Sequence, residues 1–116
     1  MNRLLQRYLV AVESSEVSGF EHLDMLMLRD KLAEQNQQLT ARERTLLVAA
    51  DRRLFEQASM FDAALSQITR LAYERSQRNP PPSHWWWYLD VMAGVPKTVQ
   101  RAARRISPAA SLELAR

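Results

Sequence analysis

The first part of the chain places apolar and polar residues with the period of an α-helix. Apolar residues recur at positions i, i+3, i+4 and i+7, which predicts a first helix over residues 3–17. The apolar stripe of this helix is Leu5, Tyr8, Leu9 and Val12. Polar residues interrupt the pattern near Ser18, which with Glu21 has the spacing of a capping box. We therefore predict a second helix over residues 19–38.

A longer pattern follows, and it predicts the dominant element of the fold. Thr40 and Glu43 form a second capping-box pair, and nothing before Asn79 breaks the helical period. We therefore predict one continuous central helix over residues 41–78. Its seam of apolar residues at coiled-coil-like spacing is Leu47, Leu54, Phe61, Ile68 and Leu71.

The length of this central helix determines the expected shape. At 1.5 Å per residue the helix would span about 57 Å, whereas a compact chain of this length has a diameter of about 35 Å. The sequence thus predicts an all-α fold, an elongated helical hairpin or bundle built on the central helix. Because the helix is too long for a compact monomer, we also expect a second copy to cover part of it.

The pattern changes where three consecutive prolines end the long helix and predict a stiff, extended hinge. A short apolar helix over residues 84–93 follows the hinge and holds all three tryptophans. A basic C-terminal helix is expected after it. We expect residues 1–79 to form a helical bundle, and residues 80–116 to pack on the same domain.

The run of four aromatic residues is the most unusual feature of the chain. It consists of Trp85, Trp86, Trp87 and Tyr88. Successive helical residues point about 100° apart, so the three indoles would face three directions. Core burial and a protein interface are equally favoured interpretations, and contact with a polyanion or membrane surface is less favoured. Because Trp and Tyr are enriched at interface centres, these four residues form the predicted partner-binding site.

Charge is unevenly distributed along the chain, and the net charge of +3 arises from its last third. A basic patch there consists of Lys97, Arg101, Arg104 and Arg105. The favoured interpretation of this patch is a solvated helix face. Binding of a nucleic-acid backbone or of an acidic protein is the alternative, so a nucleic-acid-associated helical protein is the second functional hypothesis.

Little in the sequence predicts catalysis or cofactor binding. The chain has no cysteine, which excludes disulfides and thiolate metal sites. Its two histidines, His22 and His84, have no partner at metal-ligand spacing, and its two glycines cannot build a phosphate-binding loop. We therefore expect no catalytic residue, no metal and no cofactor.

The leading functional hypothesis is a non-enzymatic protein–protein interaction module that self-associates or serves as a small subunit or adaptor of a larger assembly. Its binding surfaces are expected to be helix faces and the tryptophan run. No stretch has the apolar length of a membrane span, and the absence of cysteine suits a reducing compartment, so we expect a cytoplasmic location.

Overall fold

The structure is a computed structural model that describes residues 1–94, and its regular elements within this range are helical. The α-helices are α1 (Arg3–Glu13), α2 (Gly19–Glu34), α3 (Ala41–Glu56), α4 (Ala58–Leu65), α5 (Leu71–Arg78) and α6 (Leu89–Ala93). Two 3₁₀ turns, Asn36–Gln38 and Trp85–Tyr88, precede α3 and α6. The all-α prediction is confirmed for this part of the chain. The predicted basic helix lies outside the described residues.

The continuous helix predicted over residues 41–78 is wrong, because the chain is interrupted twice. The first break is at Gln57, whose backbone N–H donates to the carbonyl oxygens of Arg53 and Phe55. The second break is the turn over residues 66–70, which separates α4 from α5. These breaks fold α3, α4 and α5 around one core, so burial in the tertiary structure outweighs the favourable local helix pattern.

The overall shape also differs from the elongated hairpin that the sequence predicted. The principal extents are 34, 31 and 27 Å, and the radius of gyration is 13.4 Å. A helix of about 57 Å would exceed the longest of these dimensions. Helix length therefore no longer argues for self-association, and any such proposal needs different support.

The starts of α2 and α3 agree with the sequence better than the ends of α1 and α2 do. Thr40 and Glu43 form the predicted capping box, with both of its reciprocal hydrogen bonds. The Ser18 side chain makes no capping hydrogen bond, although α2 begins directly after it. α1 already ends at Glu13, and α2 ends at Glu34 before the first 3₁₀ turn, so both helices are shorter than predicted.

The core draws apolar side chains from all six helices and from the second 3₁₀ turn. Of the predicted seam, the buried members are Leu47, Leu54, Phe61 and Leu71. Ile68 is half-buried and lies in the turn between α4 and α5, not on a helix. The apolar period therefore continues across breaks in the helix, because all three short helices face the same core.

Helix α2 is central, since it contacts α1, α4 and the second 3₁₀ turn. Its start approaches α4 closely at Gly19. A Cβ atom on Gly19 would lie 2.3 Å from the backbone carbonyl oxygen of Ala64, so any side chain there would push the two helices apart. The missing side chain thus lets α2 occupy the position from which it holds the segment that follows the prolines.

Candidate functional site

The tryptophan segment, which we define as residues 84–93, is docked on the helices. Trp85, Trp86 and Trp87 are only 3%, 2% and 0% exposed, whereas Tyr88 is 38% exposed. This burial is the arrangement expected under the core interpretation of the run. Within the predicted partner-binding set, Tyr88 is the residue that solvent reaches. The segment starts as a 3₁₀ turn and continues as α6, so the single helix predicted for it is two short elements.

Each indole packs against a different helix, which explains how one short segment buries three adjacent tryptophans. Trp85 meets the ring of Phe55 on α3 edge to face, with ring centroids 6.5 Å apart. The Trp86 ring lies 4.3 Å from the guanidinium carbon of Arg29 on α2. The third indole, Trp87, has the guanidinium of Arg78 on α5 at 4.8 Å. The three directions of the run are therefore used by three helices of the same chain.

One oxygen of Asp30 on α2 accepts three hydrogen bonds from the tryptophan segment. The indole nitrogens of Trp86 and Trp87 donate to Oδ1 at 2.8 and 2.9 Å, and His84 Nδ1 lies 2.8 Å from the same oxygen. A carboxylate only accepts hydrogen bonds when it is ionised, so His84 carries a proton on Nδ1. The His84 ring is also stacked on Trp86 at 4.5 Å. Asp30 thus satisfies two buried indole donors that would otherwise oppose burial.

A buried ion pair lies beneath this contact. Arg29 Nε and Nη2 donate to the two carboxylate oxygens of Asp51 at 3.0 Å each, and the Tyr8 hydroxyl donates to Asp51 Oδ1 at 2.7 Å. Burial, together with the charge of Asp51, raises the pKa of Tyr8 well above its usual value, so the hydroxyl stays a donor. Burial alone would lower the pKa of Arg29, but its bonds to Asp51 outweigh that effect and raise it.

The remaining nitrogen of this guanidinium, Arg29 Nη1, is buried without a hydrogen-bond partner in the described part of the chain. The face of Trp86 lies against the same guanidinium at 4.3 Å. A cation–π contact of this kind gives a buried charge partial compensation where no acceptor is present. Trp86 therefore completes the surroundings of Arg29 as well as filling the core.

Arg75 on α5 holds the other end of the tryptophan segment. Its Nη1 donates to the Trp87 carbonyl oxygen at 2.8 Å and to Asp90 Oδ1 at 2.7 Å, and Nη2 donates to Asp90 Oδ2 at 3.2 Å. The same guanidinium lies 4.5 Å from the centre of the Tyr88 ring. The segment is therefore attached to α2 through Asp30 and to α5 through Arg75.

These contacts form a structural junction, in which the polar groups other than Arg29 Nη1 are hydrogen-bonded to each other. Among residues 1–94 there is no group of three or more His, Asp or Glu side chains that could hold a metal ion. Sequence reasoning missed Asp30, Arg29 and Asp51, because charged residues on a helix usually face solvent. The available signal was the tryptophan run itself, since buried indole N–H groups require acceptors.

A candidate binding surface lies elsewhere, in a groove between α1 and α3 of about 390 Å³. The two helices run parallel, since Asn2 contacts Glu43 near their starts and Glu13 contacts Arg53 near their ends. The groove is lined by Leu9, Val10, Glu13, Leu46, Ala49 and Arg53, among others. Val10 on its rim is 66% exposed. The lining is apolar except at the end where the exposed Glu13–Arg53 ion pair lies.

The predicted basic patch of Lys97, Arg101, Arg104 and Arg105 lies outside the described residues, so nucleic-acid binding stays a prediction. None of the helices within residues 1–94 combines the length and the apolar character that a membrane-spanning helix needs. Comparison with family models, with curated proteins and with solved structures finds no match to this chain. The fold and the surface chemistry of the chain itself are therefore the basis for inferring its function.

Proposed function

We propose that the protein is a non-enzymatic interaction module that self-associates, and that the α1–α3 groove is the surface through which a second copy binds. The observation that carries the proposal is the exposed apolar lining of this groove, above all Val10. Exposed apolar surface arranged as a groove is typical of protein-binding sites. The tryptophans are buried, so they act indirectly, by fixing the helices that carry the groove.

A second copy is the occupant that best fits the chemistry of the groove. A two-fold dimer requires a surface that is complementary to itself. Glu13 and Arg53 pair with each other at the end of the groove, and across a two-fold axis each would exchange this partner for, or share it with, the opposite charge of the other copy. Each copy also offers an exposed side chain, Val10, and a groove lined by small residues such as Ala49. The same surface thus supplies both halves of the contact.

The strength of such a contact is expected to be modest. The groove is limited by its shorter helix, α1, which has 11 residues, about 16 Å of helix. Interfaces of this extent lie at the low end of the range for specific complexes. We therefore expect a dimer whose population depends on protein concentration, and not an obligate one.

Light scattering across a range of protein concentrations tests the proposal. The wild-type mass should rise from monomer towards dimer, and Val10→Glu should shift that transition to higher concentration by about tenfold or more, because it places a charge in an apolar contact. Val91→Glu is the matched control, since Val91 is 56% exposed on α6, outside the groove. Both positions are exposed, so circular dichroism should show both variants folded.

Two outcomes would contradict the proposal. A wild-type protein that remains monomeric at every concentration would exclude the second copy as the occupant. A dimer that Val10→Glu leaves intact, while Val91→Glu weakens it, would place the contact on α6 instead.

A further inference from the structure

The outer surfaces of α1 and α3 carry four exposed arginines whose guanidinium groups have no ion pair or hydrogen bond within residues 1–94. We call them the arginine face, and its members are Arg3, Arg7, Arg42 and Arg52. The other two arginines of these helices are engaged, since Arg53 pairs with Glu13 and Arg44 donates to the carbonyl oxygen of Asn36. The four members of the face therefore present their charges to solvent.

The packing of α1 beside α3 brings these arginines to one side of the molecule. The two helices run parallel, with contacts at their starts and at their ends. On α1, Arg3, Arg7 and Val10 have the spacing i, i+4 and i+7, so they share one face of the helix. Val10 lines the groove between α1 and α3. The two arginines of α1 therefore point to the side of the molecule on which this groove opens.

The arginines of α3 lie on the same side. Arg42, Ala49 and Arg52 are exposed and have the spacing i, i+7 and i+10, and Ala49 lines the groove opposite Val10. This spacing separates the two arginines by about 15 Å along the helix. Glu43, beside Arg42, already accepts hydrogen bonds from two backbone N–H groups. The arginine face thus extends along both helices without a carboxylate paired to it in the described range.

The exposed surface of α2 has the opposite sign. Its exposed charged residues are Glu21, Asp24, Lys31 and Glu34, three of them acidic. Arg29 on the same helix is buried and paired with Asp51, so it adds no positive charge to the surface. A polyanion would therefore be attracted to the α1–α3 side of these three helices and repelled from α2, which fixes its orientation.

The residue types on the arginine face favour phosphate groups as the ligand. A guanidinium can donate two parallel hydrogen bonds to one phosphate, which a lysine ammonium cannot do. Gln6 and Thr45, which lie among these arginines, are exposed and polar. Helices that bind membrane surfaces instead place large apolar side chains beside their cations. A nucleic acid, which offers a regular row of phosphates, therefore fits this face better than a lipid surface does.

We propose that the arginine face binds the phosphate backbone of a nucleic acid without reading its sequence. The face consists of described residues and is distinct from the basic patch predicted near the C-terminus. It borders the groove proposed for self-association, so a nucleic acid and a second copy would compete for this side of the molecule. Binding of the nucleic acid itself does not require a dimer.

Fluorescence anisotropy of a short labelled duplex DNA and of a short labelled single-stranded RNA, each titrated with the full-length protein, tests the proposal. Affinity for the duplex should fall between about 50 and 200 mM salt, with a log–log slope of about −3 to −4 for four phosphate contacts. Arg3→Gln combined with Arg42→Gln removes two of these contacts. This double variant should bind about tenfold more weakly at low salt, and its slope should be shallower by about 2.

Two further double variants serve as controls. Lys31→Gln combined with Arg70→Gln removes the same charge from exposed positions outside the face, so affinity and slope should stay close to those of the wild type. Arg104→Gln combined with Arg105→Gln tests the predicted C-terminal patch in the same way. The substituted residues of the face and of the first control are exposed, so circular dichroism should show those proteins folded.

Three results would overturn the proposal. The first is no binding of DNA or RNA at about 50 mM salt, and sedimentation with phosphatidylserine vesicles would then identify an anionic membrane as the partner. The second is equal weakening by the control at Lys31 and Arg70, which would show that only net charge matters. The third is binding that requires Arg104 and Arg105 but not Arg3 and Arg42. Light scattering without nucleic acid measures self-association separately, so failure of this proposal and failure of the proposed function are distinguishable.

Discussion

The tryptophan segment and the α1–α3 groove differ in how far their side chains are buried within the chain. In the segment, Trp86 and Trp87 donate to Asp30, and Arg75 closes the other end, so aromatic surface and polar atoms are used inside the chain. Beside α1, Val10 remains 66% exposed and lines the α1–α3 groove. The tryptophans thus build the core of the described chain, while ordinary aliphatic residues such as Val10 form its exposed apolar surface.

The largest effect is expected from removing an indole of the segment. Trp87→Ala deletes a fully buried side chain and one hydrogen bond to Asp30. Truncations of this kind cost about 3–5 kcal/mol of the free energy of unfolding, which urea denaturation measures. Tyr88→Ala is the neighbouring control and should cost less, because its ring is partly exposed. Equal losses for the two variants would mean that the deeper burial of Trp87 does not increase its contribution to the free energy of unfolding.

The parts of the fold that sequence predicts are those determined by local chemistry. The capping box of Thr40 and Glu43 needs residues three positions apart, and it is present. The helical period predicts apolar faces, and Leu47, Leu54 and Phe61 are buried. The breaks between α3, α4 and α5 were not predictable in this way, because an uninterrupted helix and three short helices around one core share the same period. The choice between them depends on contacts distant in sequence.

The contacts of the tryptophan segment were even less predictable from the sequence than the breaks between the helices. Whether an indole is buried or exposed depends on where acceptors lie, and Asp30 is more than 50 positions from Trp86 in the sequence. A groove is likewise formed by two helices together, so Val10 gives no sign of it in the local pattern. Composition and spacing identified the aromatic run as important, but they could not tell a core from an interface.

A smaller loss is expected from neutralising the acceptor of the tryptophan segment. Asp30→Asn keeps the shape of the side chain but removes the charge that two indoles and His84 share. Hydrogen bonds to charged groups contribute about 1.5–3 kcal/mol, and the partial exposure of Asp30 reduces the expected loss to about 1–2 kcal/mol.

The matched control is Asp24→Asn, an exposed position on the same helix, which should change the free energy of unfolding by less than about 0.5 kcal/mol. Hydrogen exchange of the indole N–H groups gives a second measurement. Trp86 and Trp87 should exchange faster in Asp30→Asn than in the wild type, while Trp85 should not. Unchanged exchange of all three would show that Asp30 does not hold the segment.

The smallest expected effect is the contribution of His22 on α2 to the pH dependence of the free energy of unfolding. Burial lowers the pKa of His22 from 6.5, although the Ser15 carbonyl and the charges of Glu21 and Glu16 oppose this shift. The unfolded chain therefore takes up the proton more readily than the folded chain does. As pH falls below 6.5, stability should decrease, and the decrease should level off below the pKa of the folded state.

An NMR titration of the imidazole and urea denaturation at several pH values test this expectation together. The His22 resonances should titrate below pH 6.5 in the folded protein, and His22→Gln should lose part of the pH dependence of stability between pH 7 and about pH 5. A folded-state pKa at or above 6.5 would mean that the neighbouring carboxylates outweigh burial. In that case stability should not decrease as pH falls below 6.5 on account of His22.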